Sequence, residues 1–342
     1  EIYTLSLHDA LPIFGRIAMA FSKTGFFFND GPKRCGDIRT AEISIPEYLL
    51  DRSICRLTDR EFASKQFILR DPMGAKHMNG KVLVIAGSHS GHSSMLGAAM
   101  LSVKAALKTG AGYVCAAIPT AGAGALNTVA PEAVVIGREM DGVLERVAWA
   151  DTTLIGCGMG RQPDTVEWIR KLLRNPVLTG KKLVLDADAL YAVAGTTILQ
   201  DHLEGENTIL TPHYGEFSLL SGIAPENVGE HPLACAAEFS QRNKVCLLLK
   251  GRPSVLADSA GTLMINDTGT EALSTAGSGD ILAGMIAALA SKGAGMLEAG
   301  AAAAWFHGRA GDLADEVSSL VSAEDILRAI PAAIHESFDP EK

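Results

Sequence analysis

From Lys81 onward the sequence alternates between two periodicities, and that alternation restricts the fold more than any other feature. KVLVIAG, residues 81–87, is a β-branched apolar run of the kind that forms a parallel strand buried on both faces. GAAMLSVKAALKTGAG, residues 97–112, then spaces its apolar residues as a helix does and ends on Gly110 and Gly112, a helix stop. Further strands are predicted at YVCAAIP, EAVVI, DTTLIG, KLVLDAD, NTILTP and VCLLLKG, with helices near 165–173, 214–220 and 233–243. SVLAD and GTLMIND form a predicted hairpin around SAG, and helices near 278–292, 296–315 and 322–336 close the chain. Strands alternating with helices imply an α/β fold: a doubly wound, mostly parallel sheet with helices on both faces.

The 342 residues suffice for one large domain plus a fragment, and 47% hydrophobic against 20% charged residues makes a large core possible. A net charge of −9 without a basic cluster argues against a nucleic-acid partner. No apolar run reaches the about 18 residues that a membrane helix needs, so no membrane partner is expected. Six scattered cysteines without a CxxC pair read as free thiols, most of them buried, of a cytoplasmic protein.

The front of the chain has a different texture. EIYTLSLHDALPIF, residues 1–14, has neither a basic leader region nor a cleavage site. It resembles translated sequencing-adapter sequence and is expected to be a spurious or unstructured extension. The segment 24–50 reads as a hairpin-like fragment too short to bury a core alone, and the polar stretch 58–73 reads as a linker.

In a doubly wound sheet ligands bind beyond the carboxyl ends of the strands, and here those ends are rich: GSHSGHSS, GCGMGR, DADAL, TPHYGE and KGRPS. In TAGSGDILAG the small residues Ala276, Gly277, Ser278 and Gly279 allow close backbone approach, and the helix N-terminus that follows favours an anion. Asp280 can take a proton from a hydroxyl or cap the helix. Lys250, at the end of a buried strand, is costly unless its ammonium meets an anion or snorkels to solvent. Glu216 fits a capping-box role three residues after His213; His213 itself suits a ligand contact or a pocket filler equally. GCGMG lacks dinucleotide-fingerprint spacing, and the histidines lack metal-ligand spacing.

Together, KVLVIAGS, GAAMLSVKAALKTGAGYV, LIGCGMG, VLDADAL, ILTPHYGEF, LLLKGRPSVLAD and STAGSGDILAGMIAAL resemble, in this order, the ADP/ATP-dependent NAD(P)H-hydrate dehydratases of the ribokinase-like superfamily. The likeness spans residues 74–336, and the dehydratase domain is set at 74–338. GFFFNDGPKRCGDIRTAEISIP resembles the end of the NAD(P)H-hydrate epimerase domain that often precedes it, so residues 15–57 are expected to be its remnant. The resemblance implies that Lys250, Gly251, Arg252, Pro253, Ser254 and Gly279 contact the nucleotide. It implies that Ala98, Gly158, His213 and Asp280 contact the hydrate, with Asp280 acting on its hydroxyl. It further implies ADP or ATP as co-substrate, Mg2+ as cofactor with Glu216 reaching it through water, NADHX and NADPHX as substrates, and a homo-oligomer, a tetramer in the family. Cys157 and Met159 depart mildly from the family's usual proline and leucine, and the 88–96 loop is longer than usual. The superfamily's kinases carry TPNxxE where this chain has His213 and Glu216, which favours a dehydratase over a kinase of small hydroxymethyl compounds.

Overall fold

The computed structural model describes residues 15–19, 21–41, 43–45, 55–69, 75–203 and 205–339; the adapter-like residues 1–14 lie outside them. Twelve strands are present among these residues: β1 (Gly15–Met19), β2 (Asp37–Ala41), β3 (Arg56–Leu57), β4 (Lys81–Ile85), β5 (Tyr113–Ala117), β6 (Val134–Ile136), β7 (Thr152–Ile155), β8 (Lys182–Leu185), β9 (Thr208–Leu210), β10 (Cys246–Leu249), β11 (Ser254–Ala257) and β12 (Leu263–Asn266). Ten of them form one sheet in the order β3-β12-β11-β10-β9-β8-β7-β4-β5-β6. The strands from β10 to β6 in that order are mutually parallel, and β11 runs against both of its neighbours.

The pleat explains the unbroken apolar runs. Successive side chains point to opposite faces, and both faces are covered. Val82 and Val84 lie in one core with the helices Leu96–Lys108, Ser278–Ser291, Met296–Val317 and Ala323–Glu336. Leu83 and Ile85 lie in the other, with Met140–Trp149, Pro163–Leu173, Tyr214–Ser221 and Pro232–Asn243. The fold is thus the expected doubly wound α/β sheet. No helix among the described residues is long and apolar enough to cross a membrane. The six cysteines are free, five buried and Cys55 half-buried.

Two local expectations fail. Among its described residues the 24–50 segment forms no hairpin: β2 pairs in parallel with β1, which precedes that segment. A parallel pair needs a crossover, supplied here by the short helix Gly31–Cys35, which has a proline in its first turn. The stretch read as a linker, 58–73, holds a helix, and just before it the end of the 15–57 segment joins the large sheet. β3 extends the large sheet beside β12, and Thr58 Oγ1 donates to Asn266 Oδ1 at 2.9 Å. Asp59 caps the helix Arg60–Gln66, accepting the Phe62 N–H. Ala63 of that helix is fully buried, because its small side chain fits the close approach to the domain's helices.

Candidate active site

The carboxyl ends of β4, β7, β8, β9 and β10 meet the start of the helix Ser278–Ser291. Gly277 caps that helix with φ 92°, a left-handed conformation that favours glycine. A Cβ there would also collide with the Leu101 side chain. The Ser278 N–H turns back to Thr275 O at 3.3 Å, and Ile281 N donates to Gly277 O. The intervening first-turn N–H groups of Gly279 and Asp280 are the unsatisfied donors that every helix start presents. A Cβ on Gly279 would lie 3.4 Å from Lys250 Nζ, so glycine keeps this N-terminus open to the ammonium.

Asp280 stands in the first helical turn, largely withdrawn from water. Burial raises its carboxyl pKa from 3.8 to about 6, and the charge of Asp186 adds to the effect. Oxygen atoms of Asp280 and Asp186 and the sulfur of Cys157 lie within 4.8 Å of one another. Burial, followed by the charges of Asp186 and Asp280, holds the Cys157 thiol well above its ordinary value. The sulfur is therefore a neutral thiol, donating to Asp186 Oδ2 at 3.7 Å.

Asp186, which the sequence reading left without a role, is the hub. It follows β8 directly and is 2% exposed. Its Oδ1 accepts from Lys250 Nζ at 2.9 Å and from Thr211 Oγ1 at 2.8 Å. Lys250 Nζ also stands 3.8 Å from Glu216 Oε2. Burial alone would lower the lysine pKa, but the charges of Asp186 and Glu216 outweigh it and the pKa is raised. The ammonium therefore stays charged beside Gly279.

His213 and Glu216 form a reciprocal capping box on the helix Tyr214–Ser221. His213 Nδ1 accepts the N–H groups of Gly215 and Glu216 at 3.0 and 3.2 Å, so the proton of the neutral ring sits on Nε2. Glu216 Oε2 accepts the His213 N–H at 3.0 Å. The His213 side chain is 60% exposed, so capping does not withdraw it from a ligand.

On the β10–β12 side of Lys250 a cleft of about 590 Å³ is lined by His213, Lys250, Gly251, Arg252, Ser254 and Gly279, and by residues from 266 to 307. Arg252 pairs with Glu271 at 2.6 Å on the surface. Pro253 lines a neighbouring cleft with residues 22–40 instead. Deeper in, Ser278 Oγ meets His307 Nε2 at 3.1 Å, and burial pushes the His307 pKa down to about 4. The β4–β7 side holds the other predicted contacts. Gly158 takes φ 61°, and a Cβ there would come within 2.8 Å of Ala98 Cβ and 2.9 Å of Met95 O. Gly87 N donates to Cys157 O at 2.8 Å, lacing the loops after β4 and β7 together.

The cleft on one side and the tight Gly158–Ala98 packing on the other thus flank the Asp280 carboxylate and the Lys250 ammonium. The family model described as NAD(P)H-hydrate dehydratase matches residues 82–332, the span that builds both. The chain belongs to the NAD(P)H-hydrate dehydratase family. The ADP-dependent (S)-NAD(P)H-hydrate dehydratase of Cenarchaeum symbiosum is 32% identical over 271 residues, 76% of this chain and 90% of that protein. The bifunctional NAD(P)H-hydrate repair enzyme Nnr of Moorella thermoacetica is 35% identical over 92% of this chain, which spans 61% of that protein's length. Among solved structures, the ADP/ATP-dependent NAD(P)H-hydrate dehydratase of Bacillus subtilis co-crystallised with ATP/Mg2+ superposes with TM-score 0.69 at 25% identity, covering 83% of this chain and 99% of that one. A ribokinase-like superfamily protein of Enterococcus faecalis superposes with TM-score 0.74 at 25% identity, covering 86% of this chain and all of that one. The dehydratase fold brings Lys250, Gly279, Asp280, His213 and Glu216 to one place. The signal that would have revealed Asp186 is DAD at the end of a buried strand, where a carboxylate needs a cationic partner.

Proposed function

We propose that this chain restores NAD(P)H from its (S)-hydrate at the expense of ADP, or alternatively of ATP, as a cytoplasmic metabolite-repair lyase. The observation that supports this reading is the half-buried Asp280, held as a base with a pKa of about 6 and grouped with Asp186, the partner of the Lys250 ammonium. Asp280 removes the proton of the ring hydroxyl, and the hydroxyl oxygen takes the terminal phosphoryl group of the nucleotide, releasing AMP from ADP. Loss of that phosphate with a ring C–H proton regenerates the double bond. Lys250 and the open N–H groups after Gly277 stabilise the phosphoryl charge in transit. Gly251, Arg252 and Ser254 border the nucleotide, with Pro253 shaping their turn. Ala98, Gly158 and His213 border the hydrate.

Mg2+ suits the hard oxygen donors at this edge, which suits an ion kept mainly by phosphates and water. Glu216 would reach it through water, since Oε2 already accepts the His213 N–H. When bound, the ion neutralises phosphate charge. The match to the Moorella protein extends beyond the 82–332 of the family model, which supports assigning residues 15–57 to the end of a preceding epimerase domain. Homo-oligomeric assembly, a tetramer by family resemblance, is checked by light scattering. Incubation with NADHX and ADP, followed by the return of NADH absorbance, tests the activity. Recovery that needs both the protein and a nucleotide supports it; a stable phosphorylated hydrate would indicate a kinase instead.

A further inference from the structure

On the β7–β8 side of Asp280, away from the nucleotide cleft, a guanidinium is held in a fixed position without an assigned purpose. Arg161 follows the GCGMG turn, and its Nε donates to Asp188 Oδ1 at 2.9 Å. The other oxygen of Asp188 accepts the Gly160 N–H at 2.7 Å. The guanidinium carbon also lies 5.0 Å from the centre of the Tyr191 ring, within cation–π range. Asp188 is 7% exposed, whereas the Arg161 side chain is 53% exposed. One end of the guanidinium is therefore clamped against a buried carboxylate and an aromatic face, and no described residue accepts from its Nη groups.

The backbone departs from its preferred geometry to build this clamp. Ala187, between Asp186 and Asp188, has φ 49° and ψ −111°, a conformation that costs of order 1–3 kcal/mol for a residue with a Cβ. With it, two carboxylates only two residues apart serve opposite subsites: Asp186 holds Lys250 and Asp188 holds Arg161. Asp186, two residues before Asp188, has a carboxylate oxygen within 4.8 Å of one of Asp280, so the clamp borders the reacting centre. An arginine whose stem and Nε are fixed while its Nη edge faces outward is preorganised for a planar, two-point contact with phosphate oxygens. Both oxygens of Asp188 are already engaged, so the guanidinium edge and not the carboxylate meets an approaching anion.

We infer that Arg161, clamped by Asp188 and Tyr191, is a substrate-binding residue that holds a phosphate of the dinucleotide hydrate on the β7–β8 side of Asp280, away from the nucleotide cleft. The inference rests on the dehydratase reading above. Two phosphates of the substrate class share this chemistry: the pyrophosphate bridge of both hydrates and the 2′-phosphate that NADPHX alone carries.

The test compares wild type with Arg161→Gln in two measurements: steady-state turnover of NADHX and NADPHX at saturating ADP, and fluorescence titration of NADH and NADPH in the absence of nucleotide. The expected result is a KM for the hydrate, and a Kd for the reduced dinucleotide, raised about tenfold with kcat nearly unchanged, the size of one charged hydrogen bond at a half-exposed site. ADP affinity should not move. A loss confined to NADPHX and NADPH assigns the 2′-phosphate; an equal loss on both pairs assigns the pyrophosphate. Arg161→Lys should recover less than half of the loss in logarithmic terms, because an ammonium lacks the two-point edge. Unchanged hydrate KM and dinucleotide Kd in Arg161→Gln overturn the inference while wild-type turnover leaves the dehydratase reading standing. A fall in kcat, ADP affinity and melting temperature together, without a selective KM effect, assigns Arg161 to folding of the turn and also overturns it. Wild-type protein that binds NADPH but turns over neither hydrate overturns the dehydratase reading alone, and binding of neither dinucleotide overturns both.

Discussion

Replacing Lys250 with methionine separates the two jobs of its ammonium, because the apolar stem is kept and the charge removed. In the native protein Nζ lies 2.9 Å from Asp186 and 3.8 Å from Glu216. Asp186 is 2% exposed, and without Lys250 it keeps the Thr211 hydroxyl at 2.8 Å and the Cys157 thiol at 3.7 Å, but no cation. Leaving one partner of a buried pair uncompensated costs about 3–5 kcal/mol. The Lys250 side chain is 22% exposed, so water relieves part of that and the loss should fall near about 3 kcal/mol. ADP binding should weaken by about 1.5–3 kcal/mol, roughly 10- to 150-fold in Kd. Because Lys250 holds the Asp280 pKa down against burial, its removal should also move the acid limb of kcat/KM above about 6. Calorimetric titration with ADP, urea unfolding and a pH–rate profile read these three effects. The double variant Lys250→Met/Asp186→Asn removes the orphaned charge and should regain most of the stability but none of the ADP affinity. Wild-type ADP affinity and stability in Lys250→Met, or a double variant no more stable than the single one, would refute the hub described here.

Asp280→Asn should lower kcat by about 10²–10⁴-fold, the range for a lost general base, with ADP affinity nearly intact; near-wild-type turnover would reduce Asp280 to a helix residue. In wild type, kcat/KM should fall as pH drops through about 6, where Asp280 takes up its proton. The buried His307 has its pKa lowered from 6.5 to about 4, so its stabilisation is complete above 6.5 and lost as pH falls toward 4, where the unfolded chain already holds the extra proton. Relative to His307→Asn, wild type should lose about 3 kcal/mol across that window, measured by unfolding at several pH values; Asp280 titrates in both proteins and cancels. Gly158→Ala places a Cβ 2.8 Å from Ala98 Cβ at φ 61°. It should cost about 1–3 kcal/mol and raise the hydrate KM without changing ADP binding, checked by thermal unfolding and kinetics.

The sheet was legible because parallel strands buried on both faces must be continuously apolar, and KVLVI, CLLL and TTLI each read that way. The strand-end rule then located the site edge and brought Lys250, Asp280 and Glu216 to attention. Short-range chemistry was equally visible: His213 and Glu216, three residues apart, do form a capping box. Pairings across the sheet were not visible. Nothing local ties Asp186 to Lys250, 64 positions away, and Arg161 finds Asp188 across a separate loop and helix. The parallel pairing of β1 with β2 was hidden for the same reason, since the partner of β2 lies upstream of the 24–50 segment. The helix Arg60–Gln66 went unseen in the stretch read as a linker because it has two turns, too few for a helical periodicity to register.

Phosphorylation of the ring hydroxyl before it leaves can be followed by oxygen labelling. NADHX carrying 18O in its hydroxyl is incubated with the protein and unlabelled ADP, and the products are analysed by mass spectrometry. The phosphorylation path breaks the ring carbon–oxygen bond after the phosphoryl group is attached, so it places one 18O in each inorganic phosphate released, with one AMP and one NADH formed alongside. NADH formation with the label in water and none in phosphate would rule out the phosphorylated intermediate.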